Sequence, residues 1–141
     1  MAEFLEHLHP MVVHFPIALL ITAFVLEIAS WLTKKDFFHQ CALCLYVFSV
    51  LMIPFVVKTG LLEEDRLKLH HPLLEQHERY ALWMMWWTLT SLPVLWFFYH
   101  KQRKFFRALF IVSLLGAAVL VTLTGDRGGK MVYEYGVGVE Q

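Results

Sequence analysis

The sequence predicts an all-α membrane protein with four transmembrane helices in an up-down-up-down bundle. Of its 141 residues, 58% are hydrophobic and only 17% are charged, a balance that few soluble domains show. The apolar residues form four blocks, at 11–33, 37–57, 80–99 and 108–124, and Glu27 is the one formal charge inside them. Each block has about the twenty residues with which a helix crosses a hydrocarbon core of about 30 Å. All four blocks are therefore predicted to span the membrane.

Prolines indicate where two of these helices begin and where the first one bends. Pro10 and Pro72 suit the first turn of a helix, because proline lacks the N–H that has no partner there. Helices 1 and 3 are therefore predicted to start at these prolines. Pro16 cannot donate to the carbonyl of Val12, so a bend is expected beside it.

The distribution of charge predicts the orientation of the chain. The two short connections between spans carry six basic residues against one acidic residue, whereas the other side mixes six basic with ten acidic residues. The positive-inside rule then places both connections in the cytoplasm. The N-terminus is acidic, which argues against a cleaved signal peptide. We expect a multi-pass protein of a bacterial inner membrane with both termini in the periplasm.

The two halves of the chain share an order of features, which predicts a duplicated helical hairpin within one domain, 1–141. Each half has a His-Pro pair, a second histidine, a span, a basic connection, another span and a Thr-Gly pair. The halves cover about 9–60 and 71–125, and a glycine-rich tail at 126–141 is expected to cap the outer side. The matched features are His9-Pro10 with His71-Pro72, His14 with His77, and Thr59-Gly60 with Thr124-Gly125.

The histidines are the strongest candidates for a functional site, since six of the eight lie on the outer side in this topology. Ionisable residues at membrane depth usually face a bundle interior. Equivalent positions in the repeat would set His14 and His77 opposite each other, as the two axial ligands of a b-type haem require. His9 and His71 would form a second ligand pair or support the first. Trp83 and Trp86 would help to line an apolar slot for the macrocycle.

Other functions remain open at this stage. Zinc or copper could replace haem at His14 and His77, in a non-catalytic subunit with a structural metal site. A small permease for metal ions or protons would use the histidines and Glu27 as stations. The absence of Cys-x-x-Cys-His excludes covalent c-type haem, and Cys41 and Cys44 are interpreted as packing residues. An electron carrier or redox subunit is favoured over a stand-alone enzyme, with lipid, a redox protein or a larger membrane complex as partners, and without nucleic acid.

Several motifs resemble the bacterial membrane protein family called domain of unknown function 2231. They are Leu-His-Pro-x-x-Val-His-Phe-Pro-Ile-Ala-Leu at 8–19, Thr-Gly at 59–60, His-Glu at 77–78, and a tail with glycine and tyrosine at 128–137. The resemblance covers almost the whole chain. It implies a four-helix inner-membrane protein, sometimes attached to or encoded near redox proteins, with motif histidines at His9, His14 and His77. It implies no established reaction.

Overall fold

The computed structural model describes residues 8–67, 72–99 and 103–136, and these residues are almost entirely helical. The helices are α1 (Leu8–Val12), α2 (His14–Thr33), α3 (Asp36–Leu67), α4 (Pro72–Tyr99) and α5 (Arg103–Tyr133). Four segments are long and apolar enough to cross a membrane: His9–Thr33, Asp36–Asp65, Pro72–Tyr99 and Lys104–Tyr133. The prediction of an all-α protein with four transmembrane helices is confirmed.

The helix starts follow the prolines with one difference. α4 begins at Pro72, as predicted. The first span begins at Leu8, two residues before Pro10, and is interrupted at Val13 between α1 and α2. Pro16 follows this interruption by three residues, and it lacks the N–H that would bind the carbonyl of Val12. The missing hydrogen bond accounts for an irregularity at this point of the span.

Contacts at both ends show that α2 and α3 run in opposite directions. His9, just before α2, contacts Val56 near the end of α3, whereas Glu27 near the end of α2 contacts His39 near the start of α3. In the second hairpin, His77 near the start of α4 contacts Thr124 late in α5. The end with His9 and His77 is called the histidine end, and the opposite end, with the two short connections, is called the connection end.

A buried tyrosine joins the two hairpins in the middle of the bundle. The Tyr46 side chain is fully buried on α3, and its hydroxyl lies 2.6 Å from Ser91 Oγ on α4 and 2.5 Å from Ser113 Oγ on α5. Its ring meets Phe110 edge to face, with 5.4 Å between centroids. Buried hydroxyls in a lipid environment need such partners, because no water is available to replace them. This cluster therefore fixes how the hairpins face each other.

The contacts within the two hairpins also show which residues of the two halves correspond to each other. Each imidazole of the histidine end contacts a carbonyl 47 residues later, from His9 to Val56 and from His77 to Thr124, so equivalent positions differ by 68 residues. Buried residues agree with this register: Ala42 with Phe110, Tyr46 with Leu114, Ser49 with Ala117 and Ile53 with Val121. Residues 9–60 thus correspond to 77–128, whereas the dipeptide motifs favoured 71–125. Residues 126–133, expected to belong to a cap, extend α5.

A close contact inside the second hairpin allows a test of this packing. A Cβ atom on Gly116 would lie 2.5 Å from Trp87 Cε2, and the indole Nε1 donates to the Ser113 carbonyl at 3.1 Å. Gly116→Ala should displace the indole and lower the free energy of unfolding by about 1–3 kcal/mol relative to the control. The control is Gly125→Ala on the same helix, where the added Cβ meets nothing within 4 Å. Denaturant titration in detergent measures both variants, and equal stabilities would contradict the packing.

Candidate functional site

His9 is held against the last turns of α3 by its Nδ1 atom. Nδ1 lies 3.1 Å from the Val56 carbonyl oxygen and 3.1 Å from Thr59 Oγ1. The ring packs on Gly60, where an added Cβ would approach the imidazole Cε1 to 2.9 Å. A glycine one turn after the accepting carbonyl therefore makes room for the imidazole.

His77 has the same arrangement in the second hairpin. Its Nδ1 lies 2.8 Å from the Thr124 carbonyl oxygen. The glycine one turn later is Gly128, where an added Cβ would lie 3.2 Å from the His77 Cε1. Gly60 and Gly128 are also equivalent in the repeat. The two halves thus bury one imidazole each by the same combination of a backbone carbonyl and a glycine.

These contacts define the state of both rings. A carbonyl oxygen can only accept, so Nδ1 carries the hydrogen in each case, and Nε2 of the neutral imidazole keeps its lone pair. Histidines that ligate metals use this arrangement, in which the second nitrogen donates to a carbonyl and orients the ring. The contact at Nδ1 therefore orients each ring at the histidine end.

The other predicted site residues are placed differently. The side chain of His14 is exposed. In the 68-residue correspondence its position matches Leu82, and the position that matches His77 is His9. Trp83 is 55% exposed and Trp86 is 60% exposed on the outside of the bundle, so neither lines an interior slot. His71 lies outside the described residues.

The described residues contain no cluster of three or more His, Cys, Asp or Glu side chains suited to a metal ion. A structural zinc site needs four protein ligands, and a catalytic one needs three.

A second polar cluster surrounds Glu27 at the connection end. The Glu27 side chain is 1% exposed, and its Oε2 lies 2.7 Å from Nδ1 of the buried His39. Its Oε1 lies 3.6 Å from Arg107 Nε, within ion-pair distance but too far for a hydrogen bond. Arg107 also donates to Ser30 Oγ at 2.5 Å. The carboxylate of α2 is thus approached from α3 and α5.

Sequence reasoning missed these partners of Glu27. The sequence indicated Glu27 only as a candidate station of a permease. His39 and Arg107 are equivalent in the 68-residue register, which is the signal that could have identified them. The sequence does not reveal this correspondence, because the side chain of His39 is an imidazole and that of Arg107 is a guanidinium.

The fold and the histidine end together define a class: small α-helical membrane proteins in which each hairpin holds one imidazole against a backbone carbonyl at the same end. The family model described as predicted membrane protein (DUF2231) matches residues 6–141. The chain belongs to this family, as its motifs indicated. No curated protein and no solved structure matches the chain.

Removing the buried carboxylate should weaken the connection end. Glu27→Gln leaves the Arg107 guanidinium near a neutral amide, and we expect the free energy of unfolding to fall by about 3–5 kcal/mol, as for other broken buried ion pairs. The matched control, Asp126→Asn, removes a carboxylate from the exposed ion pairs with Arg127 and Lys130, where about 0–1 kcal/mol is expected. Denaturant titration in detergent measures both, and similar losses would contradict the assigned role of Glu27.

Proposed function

We propose that the protein binds a b-type haem and transfers electrons in the membrane, as a carrier or as a subunit of a larger redox complex. His9 and His77 are the axial ligands in this proposal. The observation that carries it is the pair of imidazoles, one from each half, whose Nδ1 atoms donate to backbone carbonyls. This leaves both Nε2 atoms able to bind iron.

The number of donors favours haem over a bare metal ion. The macrocycle itself supplies four nitrogens to the iron, so the protein has to add only two. A zinc ion bound by His9 and His77 alone would lack two of the four protein ligands of a structural site. A haem held by both imidazoles would supply one-electron transfer rather than oxygen binding, because no position on the iron would remain open for oxygen.

The interior of the bundle argues against the permease alternative. The Glu27 cluster lies at the connection end and the imidazoles lie at the histidine end. Between these two ends, the Ile53 side chain of α3 is buried in the bundle, and Leu20 and Val121 are buried in the same core. A path for ions or protons would have to cross this apolar layer.

We place the histidine end, and hence the haem, on the periplasmic side of a bacterial inner membrane. Support comes from the six basic residues on the two connections, which the positive-inside rule assigns to the cytoplasm. A reporter that is active only in the periplasm should be active when fused after Gln141. Activity of a cytoplasmic reporter at that position would reverse the orientation.

An absorption spectrum tests the cofactor and its ligands together. Protein produced with ample haem should show the sharp α and β bands of low-spin, bis-imidazole haem when it is reduced. His9→Ala and His77→Ala should each abolish these bands, because each removes one axial nitrogen. His14→Ala should keep them, and their loss in that variant would assign the ligand to His14 instead. Colourless wild-type protein would remove the haem proposal, and stoichiometric zinc or copper in it would favour the metal site.

Neighbouring glycines give a second arm of this experiment. Gly128→Ala would press a Cβ against the His77 ring at 3.2 Å, whereas Gly129→Ala, one residue later, meets nothing within 4 Å. Haem affinity should fall by about tenfold or more in the first variant, the usual scale for disturbing a group that orients a metal ligand. The second should match the wild type.

A further inference from the structure

The two hairpins bring their basic connections together at the connection end. The Ser30 hydroxyl, in the last turn of α2, accepts from Arg107 of α5 and donates to the Lys35 carbonyl at 3.2 Å. Arg107 Nη1 also lies 3.8 Å from Asp36 Oδ1. The first turns of α5 are thus held against the connection between α2 and α3. Basic residues of both hairpins therefore share one surface.

This surface has an excess of positive charge. The two connections carry six basic residues against one carboxylate, Asp36. Even when the buried Glu27 is counted as well, two carboxylates do not balance six cations, and both of them lie beside Arg107. The cations on the outside of this end include the exposed side chains of Lys34, Lys35 and Lys104. An anionic partner would complete the charge balance.

Exposed apolar side chains occupy the helix turns next to these lysines. Trp31 and Leu32 in the last turn of α2 are 54% and 79% exposed, and Phe37 in the first turn of α3 is 67% exposed. Phe105 in the first turn of α5 is also exposed. Cations beside an apolar surface match an amphiphile that has an anionic headgroup and hydrocarbon chains. A soluble anion would use only the charge.

We propose that the connection end binds an anionic phospholipid, with its headgroup phosphate at the lysines of both connections and its acyl chains on the neighbouring apolar side chains. Lysine suits this role, because its ammonium group binds phosphate as a point charge on a flexible stem. Basic residues beside membrane helices attract anionic headgroups in this way. A lipid that contacts both connections would also strengthen the packing of one hairpin on the other. The inference is independent of haem binding.

Native mass spectrometry of the purified full-length protein in detergent counts bound lipids and tests the proposal. From an equal mixture of phosphatidylglycerol and phosphatidylcholine with the same acyl chains, the first lipid bound should be phosphatidylglycerol by about tenfold or more. Lys35→Gln and Lys104→Gln should each lower this preference about fivefold, the contribution of one basic residue near a membrane surface. The double variant should lose the preference, because both lysines act on the same lipid.

Lys58→Gln is the matched control, because it removes the same charge from an exposed position of α3 near the histidine end. It should keep the preference, as should Lys35→Arg, and circular dichroism checks that each variant is folded. Equal binding of the two lipids by the wild type, or equal losses in Lys58→Gln and Lys35→Gln, would overturn the inference. Displacement of phosphatidylglycerol by inorganic phosphate at constant ionic strength would overturn it in favour of a soluble anion.

Discussion

A carboxylate buried within a membrane-spanning helix imposes the strongest constraint on this fold. Glu27 is almost fully buried, so its charge has to be matched by donors from neighbouring helices. His39 comes from the hairpin of Glu27, and Arg107 comes from the other hairpin. The two are equivalent positions of the repeat, while the position equivalent to Glu27 is Leu95. One carboxylate thus serves both halves and holds three helices together at the connection end.

The opposite end is organised by the contact between an imidazole and a backbone carbonyl. Gly60 and Gly128 are poor helix formers, yet both lie inside helices, because a side chain at either position would collide with a histidine ring. The same contact satisfies Nδ1 and, in the neutral imidazole, leaves the lone pair on Nε2. The contact that stabilises this end of the bundle is therefore also the contact that would orient each imidazole for a ligand. This is why a haem ligand role for His9 and His77 requires no rearrangement of their hydrogen bonds.

The differences between the halves are as informative as their agreement. Duplication accounts for the shared core positions and for the two imidazoles, which form a nearly symmetric scaffold. Arg127 in place of Thr59 makes the histidine end asymmetric in charge, and Glu27 in place of Leu95 does so at the connection end. At the connection end, the pairing of Glu27 with His39 and Arg107 explains the buried charge without a ligand. This pairing leaves the 3.6 Å distance between Glu27 Oε1 and Arg107 Nε unexplained.

The sequence by itself determined the four membrane helices, the start of α4 and the family, because hydrophobic length and short motifs are local properties of the chain. Only the tertiary structure decided which residues face inward. It set His9 against the Val56 carbonyl and His77 against the Thr124 carbonyl, turned Trp83 and Trp86 outward and brought His39 and Arg107 to Glu27. In a membrane both faces of a helix are apolar, so hydrophobic periodicity does not reveal the inward face. Packing of small residues, such as Gly60 and Gly128 under the imidazoles, sets that face, and it depends on contacts between residues far apart in the chain.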